Sequence, residues 1–202
     1  MLTIALPKGR IADETLDRFE KAFGEKFVFA DRKLILEKSG FKFLNVRNQD
    51  VPTYVMHGAA DLGVVGLDVL EEKEYDLIKL LDLKLGRCKV AFGLRAGEKL
   101  NFDKSKITIA TKHEKIAKKY FEQKAMAVEI IKLYGSIELA PLVGLCDCIV
   151  DIVETGETMK QNGLEVGPTI METTAHLIAN KNSFYAKKDL IFDLKDKLEK
   201  FL

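Results

Sequence analysis

Short β-rich apolar runs alternate with stretches of helical period along almost the whole chain, and this alternation narrows the fold more than any other feature. Leu2 to Leu6 is followed by a basic turn, Pro7-Lys8-Gly9-Arg10, and then by Ile11, Leu16, Phe19 and Phe23 at helical spacing. Phe41 to Val46 gives way to a helix from Val51 to His57, for which Asp50 suits the N-cap, Pro52 the first turn and Gly58 the stop. Asp61 to Val65 leads to a helix starting over Leu67 to Glu72, and Ile107 to Thr111 to an amphipathic one over His113 to Lys124. Val128 to Leu133 leads to a helix opened by Gly135-Ser136 and running through Val143, with Ser136 as its expected N-cap and Glu138 in its first turn. Such repetition is the pattern of an α/β fold. Residues 24 to 38 are mixed and carry a basic Asp31-Arg32-Lys33 cluster. Two extended segments flank Gly86, Leu77 to Leu83 and Arg87 to Leu94, and a third runs from Val166 to Asn180 through Gly167-Pro168; these read as crossings between two lobes. Ser183 to Leu202 reads as one terminal helix.

A chain of 202 residues buries a good core in one or two domains. Its formal net charge of +1, with acids and bases intermixed, builds no basic field for nucleic acid. No apolar run is long enough to span a bilayer, and MLTIALPKGR lacks the order of a signal peptide, so a cytoplasmic protein without a membrane partner is expected. Cys146 and Cys148 form a C-x-C on a strand, where alternation would turn both to one face; with no further ligands nearby they read as buried small residues, like Cys88.

The densest chemistry lies in residues 146 to 164, CDCIVDIVETGETMKQNGL. Cys148 to Val153 is an apolar strand with one carboxylate, Asp151, inside it. Glu154 and Thr155-Gly156-Glu157-Thr158 come next, then helix-compatible residues from Met159 that Gly163 terminates. A turn at the carboxyl end of a strand is where open α/β sheets bind ligands. The helix start offers unpaired amides and a positive dipole end to a phosphate, Gly156 lets the backbone come close, and Thr155 and Thr158 add hydroxyl donors. Asp151 and Glu154 suit sugar hydroxyls or Mg²⁺. Ser136 marks a second possible anion site. On spacing alone, a capped helix after a buried strand accounts for the same pattern.

The wider segment GSIELAPLVGLCDCIVDIVETGETM resembles the signature of the ATP phosphoribosyltransferase family, matching at Glu138, Gly144, Asp147, Asp151, Thr155, Gly156, Thr158 and Met159. Cys146 departs from it, where the family more often has alanine. LPKGR at the N-terminus and RNQDVPTYVMHGAADLGVVGLDVL over Arg47 to Leu70 resemble the same family. The resemblance implies a two-lobe, periplasmic-binding-protein-like fold with hinge strands and an active site between the lobes. On that basis one lobe spans residues 1–88 and 176–202 and the other residues 89–175. It also implies the short, catalytic form of the enzyme, which joins ATP to 5-phosphoribosyl 1-diphosphate with Mg²⁺ accompanying the donor.

The resemblance also implies a division of labour among the residues. Asp151, Glu154, Thr155, Gly156, Glu157, Thr158 and Met159 hold the phosphoribosyl donor, with Asp151 on the ribose. Arg32 and Arg47 meet the leaving diphosphate with forked contacts and, with Asp151, carry catalysis. Lys8, Gly9, Arg10, Asp50, Gly63, Gly66 and Asp68 belong to the ATP side, and Glu138 and Asp151 are the expected magnesium ligands. His176, in HLIAN, stands where the family often has arginine; it packs, or carries a pH-dependent charge near a phosphate. The chain ends at Leu202, leaving no residues for the histidine-binding domain of the family's long form. A homodimer joined to a histidyl-tRNA-synthetase-like regulatory subunit is therefore expected. Two rivals remain: a non-enzymatic two-lobe binding module, and a phosphoribosyltransferase acting on a free base, which usually places two adjacent acids before its loop.

Overall fold

A computed structural model describes residues 1–202. In chain order the first elements are β1 (Leu2–Pro7), α1 (Arg10–Phe23), β2 (Ile35–Lys38), β3 (Phe41–Val46), α2 (Val51–Met56), β4 (Leu62–Gly66), α3 (Leu67–Lys73) and β5 (Ile78–Asp82). Next come β6 (Cys88–Arg95), β7 (Ile107–Thr111), α4 (Glu114–Glu122), β8 (Val128–Lys132), α5 (Leu139–Leu142), β9 (Cys148–Val153), α6 (Glu157–Gln161) and β10 (Leu164–Thr173). The chain closes with β11 (Ala175–Ala179), α7 (Lys181–Ala186) and α8 (Lys188–Glu199). It forms two compact units: Met1–Gly86 with Thr174–Leu202, and Arg87–Thr173. Both boundaries fall two residues before those expected, because Ala175 and His176 already pair with Gly66 and Val65 of β4, whereas Cys88 pairs with Thr173 of β10.

The first unit holds a six-stranded sheet in the order β2-β3-β1-β4-β11-β5. β1 lies parallel to both β3 and β4, in the middle of the sheet, and is apolar on both faces as a covered parallel strand must be. On one face Ile4 and Leu6 pack with Leu16 and Phe19 of α1 and Ile191, Leu194 and Leu198 of α8. On the other, Ala5 packs with Val51 and Val55 of α2 and Val69 of α3. Phe19 sits at the centre of an aromatic cluster, 5.0 Å from Phe43 and 5.3 Å from Phe41 in edge-to-face geometry. The mixed residues 24–38 end in an edge strand, β2, antiparallel to β3. The terminal helix divides in two at Lys187, whose φ of −125° and ψ of 29° leave the helical region between α7 and α8.

The second unit holds a five-stranded sheet in the order β10-β6-β9-β7-β8. β9 is parallel to β7, which is parallel to β8. Phe92, Ile109, Cys148 and Val150 face Ile116, Ala117 and Phe121 of α4 on one side. Ala91, Ala110, Ile149 and Val153 face Ala140 of α5 and Met159 of α6 on the other. Two register shifts around Thr169 interrupt the pairing of β10 with β6 just past Pro168, which has no amide to donate.

Three local expectations fail. Ser136 does not cap a helix: its φ is +49°, and α5 forms only over four residues from Leu139, with Glu138 at the cap position and no side-chain cap bond. Asp50 stands at the N-cap of α2 without a capping hydrogen bond, because a 3-10 turn over Asn48–Asp50 already puts it in helical conformation. Cys146 and Cys148 are both buried, but Cys146 precedes the strand and joins the α5–α6 side, whereas Cys148 faces α4.

Candidate functional site

In the second unit, parallel pairing brings the carboxyl ends of β7, β8 and β9 together, with Thr111 beside Val150 and Lys132 beside Thr111. The segments leaving these strands are therefore set side by side: Lys112-His113 after β7, Tyr134-Gly135-Ser136 after β8, and Glu154 to Thr158 after β9. Glu154, Thr155, Glu157 and Thr158 line the exposed rim, and Gly156 adopts φ +81°. That backbone suits glycine, and so does the space: a Cβ there would lie 2.9 Å from Val166 Cγ2. The Glu157 amide donates to Thr155 Oγ1 at 3.3 Å, so this hydroxyl serves the turn itself. Gln161 Nε2 donates to Glu157 at 3.1 Å. Met159 points the other way: it is 4% exposed, in the core, so only its backbone can serve the turn.

Asp151 lies inside this rim, two residues before the end of β9, with its side chain 18% exposed. Lys112 Nζ is 3.0 Å from its Oδ1 and His113 Nε2 is 3.7 Å from the same oxygen. Burial works to raise the Asp151 carboxyl, but the His113 ring and the Lys112 ammonium outweigh it, and the group stays below the usual carboxylate range. An ionised carboxylate offers two acceptor oxygens and no donor, which suits it to hydroxyl groups. Lys112 and His113 are not among the residues that the sequence singles out. A signal for them exists: they leave a strand and open a helix, the position that favours ligands in α/β sheets.

Asp147, immediately before β9, has a structural task. It accepts from the Thr108 amide at 2.9 Å and from Lys104 Nζ at 2.5 Å, which pins the start of β9 to β7. Glu138 is half-buried before α5. No group of three or more His, Cys, Asp or Glu side chains gathers to hold a metal ion. The enclosed oxygen of Asp151 already faces two basic side chains, which suits a cation poorly.

In the first unit the carboxyl ends of β1, β3 and β4 are likewise adjacent. They carry Lys8-Gly9-Arg10, Arg47 to Asp50, and Gly66-Leu67-Asp68. The Lys8 amide donates to Val46 O at 2.8 Å, tying the first two together. Arg32 stands two residues before Leu34, whose carbonyl accepts from the Asn45 amide of β3 at 2.8 Å because β2 runs antiparallel to β3. Lys8, Arg10, Arg32, Arg47 and Asp50 are exposed. Gly9 takes φ +95° and ψ −155°, a glycine-only conformation that lets α1 start directly after β1. Arg10 Nε is 3.7 Å from Glu14. Asp68 is buried in the first turn of α3. Gly63 has a packing reason: a Cβ would lie 2.7 Å from Val55 Cγ2 and 2.8 Å from Val51 Cγ1 of α2. His176, beyond these groups, is paired through Nδ1 with Thr174 O over 3.1 Å.

These features define an α/β protein of two compact units, with cationic, hydroxyl and carboxylate groups at its parallel strand ends. The fold also matches the periplasmic aliphatic sulphonate binding protein SsuA from Escherichia coli, with a TM-score of 0.63 over 98% of this chain and 71% of that one, at 12% identity. A much nearer structural match is the ATP phosphoribosyl transferase (HisG:HisZ) complex from Thermotoga maritima, with a TM-score of 0.84 and 36% identity over 99% of this chain and 98% of that chain. The family model for ATP phosphoribosyltransferase, HisG, covers residues 47–200. The ATP phosphoribosyltransferase of Wolinella succinogenes is 66% identical over 99% of this chain and 97% of its own length. The chain belongs to the ATP phosphoribosyltransferase family.

Proposed function

We propose that the chain condenses ATP with 5-phosphoribosyl 1-diphosphate in the first step of histidine biosynthesis. N1 of the adenine forms a bond to the anomeric carbon as the bond from that carbon to the diphosphate oxygen breaks, and the electron pair leaves with diphosphate. The products are N1-(5-phosphoribosyl)-ATP and diphosphate. The observation that carries this reading is the exposed Thr155–Thr158 turn directly after the strand bearing Asp151, in a chain of this family.

In this reading the 5-phosphate sits on the amides and hydroxyls of Thr155, Gly156, Glu157 and Thr158, with Met159 offering its amide alone. Asp151 accepts from the ribose hydroxyls, and Glu154 stands at the rim. Charge developing on the departing diphosphate is met by Arg32 and Arg47, and stabilising that charge is the main electrostatic contribution of the chain. Lys8, Gly9, Arg10, Asp50, Gly66 and Asp68 serve the ATP side, with Gly63 behind them as a packing residue. Magnesium enters as part of the substrate, chelated by the donor's diphosphate, which suits an ion that keeps most of its own ligands. A protein partner resembling HisZ, as in the Thermotoga maritima complex, completes a hetero-oligomer around a homodimer of this chain.

The test is diphosphate release by the full chain given the donor and ATP, compared with free adenine or orotate in place of ATP. Release with ATP alone among the three is expected. Equal release with a free base would replace this reading by that of a base phosphoribosyltransferase.

A further inference from the structure

The ring of His113 is only 1% exposed, yet neither of its nitrogens has a hydrogen-bond partner within the chain. Leaving a buried polar group unpaired costs about 1–3 kcal/mol, so a merely packed ring would be better as a phenyl group. The residue is held firmly. Its amide donates to Thr111 Oγ1 at 2.8 Å, and that hydroxyl donates to Val150 O at 2.6 Å, across the β7–β9 pair. This relay holds the backbone of His113, and Nε2 of the ring lies 3.7 Å from Asp151 Oδ1. That oxygen is also enclosed and also lacks a well-formed hydrogen bond, although Lys112 Nζ lies 3.0 Å from it. The Asp151 side chain as a whole keeps 18% of its surface exposed. Asp151 thus has one enclosed oxygen beside His113, on a side chain that stays partly open to solvent.

We infer that His113 is a positioning residue for Asp151. Its Nε2–H closes onto Oδ1 as a ribose hydroxyl of the phosphoribosyl donor engages Oδ2, and so fixes the plane of the carboxylate. The inference rests on the reading that Asp151 receives the donor's ribose. Lys112 supplies charge to the same oxygen but not direction, since its ammonium rides on a flexible four-carbon stem. A buried ring anchored through its own backbone supplies the direction, as outer partners of ligand-binding groups commonly do.

Three full-length variants test this. His113→Phe keeps the ring and removes the nitrogens; His113→Gln places an amide N–H near the Nε2 position; His113→Asn is equally polar but too short to reach. His113→Phe and His113→Asn should raise KM for the phosphoribosyl donor about tenfold or more, the usual scale for a lost hydrogen bond to a charged group, with KM for ATP within about twofold. His113→Gln should restore most of the donor KM. If His113→Phe fails to fold, the Gln and Asn pair still decides. Equal donor KM in Gln and Asn, or donor and ATP KM rising together, would overturn the inference. Wild-type diphosphate release, measured alongside, tests the proposed function separately.

Discussion

The Lys187 ammonium lies 2.8 Å from Oδ1 and 2.7 Å from Oδ2 of Asp61, a residue that is 7% exposed. Asp61 also accepts from the Thr3 amide at 2.9 Å, so one side chain joins the start of β1, the entry to β4 and the break between α7 and α8. Burial works against its charge, but the Lys187 and Thr3 hydrogen bonds prevail and hold the carboxyl below its ordinary value. Lys187→Met should therefore destabilise the protein by roughly 1–3 kcal/mol, since it leaves a buried charge without its partner. Asp61→Asn with Lys187→Met should recover part of the loss. Urea denaturation at pH 7 reads both, and a neutral Lys187→Met would show the pair to be inert.

Gly156 is under two constraints, a left-handed φ of +81° and the methyl of Val166 that a Cβ would meet at 2.9 Å. Gly156→Ala should weaken phosphoribosyl donor binding, measured by calorimetry, with ATP binding unchanged. The backbone term alone is about 1–2 kcal/mol. Val166→Ala added to Gly156→Ala relieves the clash and not the φ, so it should restore little. Full recovery in the double variant would make packing, and not turn conformation, the reason for the glycine.

Most elements are legible in the sequence because strands here are largely apolar or alternating runs and helices carry clear periods: Leu2–Pro7, Phe41–Val46 and Cys148–Val153 need no tertiary information. The misreadings share a cause. Ser136 reads as a cap because Gly-Ser precedes an apolar stretch, but φ at a single residue is not encoded in composition. The contact of Lys112 and His113 with Asp151 depends on which strand is laid beside β9 and in what register, a long-range relation that local patterns do not carry. Arg32 stands out in the sequence for its charge; that the segment just after it, at Leu34, meets Asn45 of β3 follows from the antiparallel pairing of β2.

Asp151→Asn keeps the shape of the side chain and removes the charge that faces Lys112 and His113. The fold should persist, because asparagine fills the same space and the β9 core rests on Ile149, Val150 and Val153. Replacing an ionised acceptor by a neutral amide forfeits about 1.5–3 kcal/mol, so kcat/KM for the phosphoribosyl donor should fall roughly 10- to 100-fold. Circular dichroism and the thermal midpoint should stay near wild type. Wild-type kinetics in this variant would remove Asp151 from the site.

Asp82 should give the first unit an acid-sensitive stability. It stands opposite His176 in the β5–β11 pair, accepts from Thr174 Oγ1 at 2.8 Å and from the Lys84 amide at 2.9 Å, and lies 2.5 Å from Lys84 Nζ. Burial opposes its charge, but Lys84, then Thr174 and the charge of His176, bring the carboxyl from 3.8 to about 2. A depressed folded-state value means that the stabilisation is complete above pH 3.8 and is lost as pH falls toward 2. At about 1.36 kcal/mol per pKa unit the limit is about 2 kcal/mol; screening of a side chain that is 28% exposed leaves about 1 kcal/mol. Asp82→Asn should lower the unfolding free energy by that amount at about pH 6 and flatten its decline between about pH 4 and pH 2. If wild type and variant decline in parallel over that range, Asp82 is not the titrating group.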